Sequence, residues 1–404
     1  MSALDRFTPI HQRSSDLEYT RLLLQQRSPD CTSPYHGPTT YEKAVAAALF
    51  GRDLDRDTRV LPISSRDRVI TYKSILSSTP TTDWRVKEAA TSQLHGIVND
   101  VYNHSFALSN GKYALCGDYD SAYLFNLTAI KKRKIFISGT ESEIVSATHW
   151  ITPTQAAVGT NLSTLNIIDG KTSDYIHKRS FERGTIRVID QSNENEIYLG
   201  FADGAFSRID PRDPKKGSVV HLASQTISSL SVRRLTAVGY NQNMLMVFDP
   251  RKIDRPFAEL TGHKSAVTSV EWLDDNHLIS GGGSADKSLR AWCMINPGKP
   301  FMTTDTKSQV TGIHKLDQQT LITTHGSGAE NDRIQLWSIE NGKMVNKDAY
   351  KTAHSGRIVN SAMSNSTLIT GSGIDSVMCI WKFTNENFQQ ASGPSRSRLL
   401  ATVR

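Results

Sequence analysis

One unit of this 404-residue chain returns along most of its length, and that recurrence limits the folds open to it. The clearest copy is LTGHKSAVTSVEWLDDNHLISGGGSADKSLRAW, residues 260–292. It holds a Gly-His pair, a run with alternating Val, a second short run LIS, a turn with Asp286, and a run that ends in Trp292. The pattern comes back at 308–337, ending in Trp337, and at 353–381, ending in Trp381. Fainter copies end at Phe125, Ile168, Ile209 and Phe248, where an aromatic or aliphatic residue takes the Trp place. Successive ends lie 39 to 45 residues apart.

That spacing is the period of the WD repeat, in which four strands make one blade. Seven such blades close a ring and leave no long sheet edge open. The expected fold class is therefore all-β: a seven-bladed WD-repeat β-propeller over residues 96–385. The repeat also accounts for residues that resemble catalytic groups. His263 and Asp286 fit the hydrogen-bonded network beneath a blade's Trp, and His354 and Asp375 fit the same network in the last blade. A Ser-His-Asp hydrolase is a poor reading of residues that the repeat already explains. GGGSADKS (281–288) has the outline of a phosphate loop, but a strand follows it where a helix N-terminus is needed. No metal or cofactor motif is present, so the chain reads as a binding platform with no cofactor, not as an enzyme.

Outside the repeats the texture differs. Residues 1–95 are rich in Ser, Thr, Pro and Arg, with Ser-Pro or Thr-Pro at Ser28, Ser33 and Thr79. Such composition buries too little apolar surface to fold alone, and no strand there is expected to find a partner. Short helices are conceivable at 18–26 and 41–51. Residues 386–404 form a second tail. No run approaches the ~20 apolar residues of a membrane helix. Cys31, Cys116, Cys293 and Cys379 lie far apart, which fits a reducing compartment, nucleus and cytoplasm. The net charge of +7 raises the question of nucleic acid. Its densest basic run, Lys131-Lys132-Arg133-Lys134, reads as a solvated turn, and neither nucleic acid nor membrane is an expected partner.

GHKSAVTSVEW…LISGGGSADKSLRAW, then SQVTGI…LITTHG…NDRIQLW, then SGRIVNSAMS resembles the Fizzy family, the propeller coactivators of the anaphase-promoting complex. The likeness covers the whole propeller and includes NDVYNHSFALSNGKYALCG at 99–117. Asp5, Arg6, Phe7, Thr8 and Pro9 look like the family's C-box, which docks onto the ligase. Val403 and Arg404 are similar to the Ile-Arg tail that inserts into a tetratricopeptide-repeat subunit. Residues 41–63 resemble the Fizzy-branch segment with a checkpoint-binding motif, here Arg59, Val60 and Leu61. Two weak docking peptides on one chain reinforce each other through effective concentration.

The resemblance also implies where substrates bind. For the Lys-Glu-Asn degron the matching positions are Asn241, Asn243, Ser284, Gln309 and Arg357. Arg357 would pair with the degron Glu and the two Asn would read its amide. The family's first-blade Asp is Ala107 here, which removes a partner for the degron Lys. For the destruction box, Asp100 matches the acid that accepts the degron Arg, while the second acid is replaced by Ser376. In the C-box, Thr8 replaces Ile and His11 replaces Arg. Thr8-Pro9 makes a proline-directed phosphorylation site, and a phosphate beside Asp5 would weaken docking. Equal ligase binding by a Thr8→Glu protein would rule that out.

The implied function is substrate recognition and activation for the anaphase-promoting complex. Its expected partners are ligase subunits, degron-bearing proteins such as cyclins and securin, and mitotic checkpoint proteins. The Fizzy branch is the first reading; a Fizzy-related or meiosis-specific activator is the alternative. A generic WD-repeat scaffold in RNA or chromatin assembly is the rival of another class.

Overall fold

The computed structural model of the chain describes residues 84–93 and 104–385, apart from residues 130, 141, 216, 222, 327, 330, 331, 341, 353 and 373–376. Every regular element among them is a strand. The 28 strands form seven four-stranded antiparallel sheets. Blade one is β2 (Phe106–Ser109), β3 (Tyr113–Gly117), β4 (Ser121–Asn126) and β5 (Lys131–Ile137). Blades two to six follow in chain order as β6–β9, β10–β13, β14–β17, β18–β21 and β22–β25, spanning Val145 to Lys351. Phe125, Ile168, Ile209, Phe248, Trp292, Trp337 and Trp381 each fall on the third strand of their blade, as the repeat requires.

The last blade shows how the ring closes. It takes β26 (Asn360–Ser364), β27 (Thr367–Ser372) and β28 (Val377–Asn385) from one end of the chain and β1 (Trp84–Gln93) from the other. β1 runs antiparallel to β28, from Trp84 opposite Asn385 to Gln93 opposite Val377. It lies upstream of residue 96, where the repeat pattern begins, in a stretch expected to hold no paired strand. Its partner is nearly 300 residues away in sequence, so no local turn announces the pairing.

A second difference concerns Lys131-Lys132-Arg133-Lys134. They form the exposed start of edge strand β5, not a turn. Lys132 and Lys134 stand over the Tyr123 ring at 5.7 and 5.4 Å. Cations on an outermost strand discourage unwanted pairing with another chain.

The spacing between blades has a sequence cause. In blades one to five the second strand carries a glycine that faces the first residue of the next blade's innermost strand. Gly117 faces Val145, Gly159 faces Ile186, Gly200 faces Ile227, Gly239 faces Val267 and Gly281 faces Val310. A Cβ at Gly281 would sit 2.5 Å from Val310 Cγ1, so any side chain would push the blades apart. Hydroxyls add a repeated stitch beside these contacts. Ser146 donates to the Ile186 carbonyl at 2.6 Å, and Ser228 donates to Val267 O at 2.7 Å. The apolar core is continuous with this pattern: each cluster, such as Leu245, Val267, Trp272 and Trp292, spans two neighbouring blades.

Candidate peptide-binding face

In each blade the innermost strand starts, and the second strand ends, on the same face of the ring. That follows from antiparallel pairing, and it decides where the sequence-selected residues go. Asn241 and Asn243 occupy the loop between β15 (Thr236–Tyr240) and β16 (Leu245–Phe248) in blade four. Ser284 lies in the loop between β19 (His277–Gly282) and β20 (Ser288–Cys293) in blade five. Gln309 immediately precedes β22 (Val310–Lys315), and Arg357 lies in the approach to β26. All five stand on one face, spread over four consecutive blades. Asn241, Asn243, Ser284 and Arg357 are exposed and Gln309 is half-buried.

Local bonds set these loops. Tyr240 N–H donates to Met244 O and Asn241 N–H to Thr226 O, which tightens the turn and holds it against the entry to the same blade. Asn243 has φ 52°, a left-handed conformation that Asn adopts more readily than most residues. Gly283 N–H donates to Ala266 O, and Lys287 N–H back to Gly283 O, which fixes the Ser284 loop. Gly326 N–H donates to Gln309 O at 3.0 Å, tying the Gln309 approach to the neighbouring loop.

Exposed Lys264, Lys307 and Arg357, with half-buried Lys287, line this part of the face, with exposed Asp305 between them. On blades one to three the same face carries Asp118, Asp120, Glu143, Glu182 and Asp203 instead. Asp203 is engaged by Arg183 at 3.6 Å. The cationic sector therefore coincides with the loops that hold the five residues, and it suits an acidic side chain.

The centre of the face is bridged by a residue that sequence reasoning passed over. His104 lies at the entry to blade one, yet its Nε2 is 2.9 Å from Ser228 O in blade four. Burial lowers the imidazole to about 4, so it is neutral and Nε2 carries the proton donated to the carbonyl. A lone His in a polar stretch gave no sign of this reach across the ring. The next residue, Ser105, donates its N–H to Asn360 Oδ1 in blade seven.

Ala107 lies inside β2, opposite Leu115, and is 7% exposed. Its methyl group offers nothing to an amine. Asp100, Asp375 and Ser376 lie outside the described residues, as do Asp5, Arg6, Phe7, Thr8, Pro9, His11, Arg59, Val60, Leu61, Val403 and Arg404. So do the two segments considered as short helices, 18–26 and 41–51.

Beneath the face, blade five carries a directed polar chain. Trp292 Nε1–H donates to Ser280 Oγ at 2.7 Å. Ser280 Oγ meets His263 Nε2 at 2.6 Å, and His263 Nδ1 meets Asp286 Oδ2. Burial works against the charge on Asp286, but its bond to His263 prevails and brings it to about 2. Burial also keeps His263 below its usual value, so the pair is a carboxylate receiving a proton from neutral imidazole. Ser280 is fully buried and its hydroxyl already has two partners, so it cannot act as a nucleophile. Blade seven repeats the chain through His354, Thr370 and Trp381. Blade six builds it differently. His325 on β23 (Thr320–His325) takes the imidazole place, between Ser308 at 2.9 Å and Thr323 at 2.7 Å.

The fold and this network define a seven-bladed WD-repeat propeller, and a model of the WD domain, G-beta repeat, matches residues 254–293. The chain is 27% identical over 312 residues to the B-type cell cycle switch protein ccs52B of Medicago truncatula. That match covers 75% of this chain and 61% of the relative. It is 24% identical over 383 residues to the anaphase-promoting complex subunit cdc20 of Dictyostelium discoideum, covering 86% and 75%. Against the protein FIZZY-RELATED 2 of Arabidopsis thaliana it is 24% identical over 416 residues, covering 93% and 82%. Among solved structures, a chain of the mitotic checkpoint complex superposes with a TM-score of 0.67 at 21% identity, covering 76% of this chain and 97% of that one. The chain is thus similar to Fizzy-type WD-repeat proteins over most of its length. Its relatives include both a cdc20-type subunit and a Fizzy-related protein.

Proposed function

We propose that the chain is a substrate-recognition coactivator of the anaphase-promoting complex ubiquitin ligase. The observation that carries this reading is the loop face. Asn241, Asn243, Ser284, Gln309 and Arg357 stand on one side of the ring within its cationic sector. In the proposed complex Arg357 forms a charge-assisted pair with the Glu of a Lys-Glu-Asn degron, and Asn241 and Asn243 bond its amide. Ala107 leaves the degron Lys without the carboxylate that the family places there, so recognition rests more heavily on the Glu and Asn. Asp100 would receive the Arg of a destruction box. Asp5, Arg6, Phe7, Thr8 and Pro9, together with Val403 and Arg404, would dock the protein onto the ligase, with Arg59, Val60 and Leu61 engaging a checkpoint partner. The protein would then act in the nucleus and cytoplasm.

Support comes from similarity to cell cycle switch and Fizzy-related proteins and to a relative whose name is that of an anaphase-promoting complex subunit. The test is recovery of the ligase on full-length protein and on an Asp5→Ala/Arg6→Ala/Arg404→Ala variant. The reading predicts clear recovery with the first and at least tenfold less with the second. Equal recovery with both would overturn it. A scaffold for RNA would instead show nucleic-acid binding that falls steeply with salt.

A further inference from the structure

Strand register reveals a feature that no motif announced. In every blade one residue of the innermost strand stands opposite the second-strand residue that faces the third-strand position just before the repeat's end. These seven residues are Ala107, His149, Asp190, Ser231, Glu271, His314 and Ala362. They form one girdle around the inner wall, two of its members acidic. Asp190 is satisfied, since Val232 N–H of the next blade donates to its Oδ2 at 2.7 Å. His314 is satisfied likewise by Ser361 Oγ at 2.8 Å.

Glu271 differs. Among the described residues its carboxyl is within 4 Å of no cationic group in an ion pair, and no hydrogen bond reaches it. Lys315 on the adjacent strand is the obvious counter-ion, but its ammonium donates to the Leu273 carbonyl. Arg233 on the other side is held by Asp275 at 2.7 Å. Glu271 instead lines a cavity of about 350 Å³ together with Lys315, Leu316, Met363, Asn365 and neighbouring residues. These sit where innermost strands end and the following turns begin, on the face opposite the degron loops. Asn365 and Ser366 both have positive φ, 48° and 58°, so the rim is a tight two-residue hairpin turn.

We infer that this cavity is a binding site for the side chain of a lysine or arginine from a partner protein. The chemistry matches at both ends. Leu316 and Met363 supply apolar surface for the alkyl stem, and Glu271, in a lining shared with His314 and Lys315, supplies the carboxyl for the cationic head. Burial pushes the Asp190 carboxyl of the same girdle up to about 7, so its negative potential grows over the pH range in which Glu271 gives up its proton. Burial, then the charge of Asp190, pushes the Glu271 carboxyl up to about 8 against the opposing effect of Lys315 and Arg233. It is thus protonated at neutral pH, and an arriving cation would displace its proton to solvent. The cavity's size suits one long side chain, not a folded element. The site is independent of the degron face and of the coactivator reading.

The probe is n-butylammonium, with n-butanol as the uncharged control, added to full-length protein carrying ¹³C-methyl methionine. Butylammonium should shift the Met363 methyl resonance, assigned with Met363→Leu, and butanol at the same concentration should not. Glu271→Gln should weaken the amine at least tenfold. In unaltered protein the amine's affinity should climb between pH 6 and pH 8 as the Glu271 proton becomes easier to release. The inference is overturned by an absent shift, by an equal shift with butanol, by undiminished binding to Glu271→Gln, or by a flat pH profile. The pH profile needs no variant, so the test survives even if Glu271→Gln folds poorly.

Discussion

Blades three and five share one backbone plan and hold it by opposite means. In blade five the plan is pinned by Trp292, Ser280, His263 and Asp286, a buried chain of polar groups in which each proton has a stated direction. In blade three Leu199 stands at the Ser280 place and Ile209 at the Trp292 place, both fully or almost fully buried. The imidazole is gone, and the equivalent Asp203 has moved outward to meet Arg183. Aromatic stacking takes over instead. Tyr198 stacks on Phe206, and Phe206 on Phe248 of blade four, each pair with ring centres 5.7 Å apart. The ring therefore does not depend on the polar network for its geometry. Glycine contacts between blades and β pairing are common to both, and the network is a local reinforcement that recurs in varied form in blades six and seven.

That contrast makes measurable claims. The largest effect should come from His263→Ala, which leaves the Asp286 carboxylate buried without its imidazole. Ser288 and Arg290 still reach the carboxylate, so a loss of about 2–3 kcal/mol is expected in denaturant unfolding. A loss below about 1 kcal/mol would mean that blade five, like blade three, is held by packing alone. The acid response should separate the blades next. Asp286 ionises in the folded state at about 2 against a usual 3.8, so it contributes stability above pH 4 that disappears as pH falls toward 2. Unaltered protein and Asp286→Asn should accordingly differ in stability at pH 5 and converge near pH 2. A constant gap across that range would refute the assignment. Smallest is Ile209→Val in blade three, which removes one buried methylene at a cost of about 1 kcal/mol. Its effect should be the same at pH 5 and pH 3, because nothing titratable is involved.

The same contrast explains how much of the molecule was readable in its sequence. The ring was legible because third-strand ends recur at Phe125, Ile168, Ile209, Phe248, Trp292, Trp337 and Trp381, whatever their chemistry. Bulk and position matter there, and both show in a single sequence. His263 and Asp286 were legible because the full polar network keeps a fixed spacing. His325 was not, since blade six moves the imidazole to another strand while preserving the bond pattern. β1 escaped because its partner is at the other end of the chain. The Lys131–Lys134 run was misread because charged residues look alike in a turn and on an exposed edge strand.

Sites followed a similar division. Asn241, Asn243, Ser284, Gln309 and Arg357 lie in loops whose positions the repeat dictates, so their common face could be anticipated from the strand count. The reach of His104 to Ser228, and the lack of a partner for the Glu271 carboxyl among the described residues, depend on register around the whole ring. No local pattern encodes either. The loops that differ most between blades thus carry the proposed recognition, while the shared inner strands carry the girdle. Polar variety on a constant frame is the physical basis of a receptor built from repeats.

In the proposed recognition, Arg357 of the cationic loop sector pairs with the Glu of an acidic degron. Its most direct measurement is the affinity of a Lys-Glu-Asn-box peptide for full-length protein and for Arg357→Ala, each with the same peptide carrying Gln in place of Glu. Arg357→Ala should weaken the native peptide at least tenfold, and the Gln peptide should bind both proteins equally poorly. Equal affinity of both proteins for the native peptide would contradict the account.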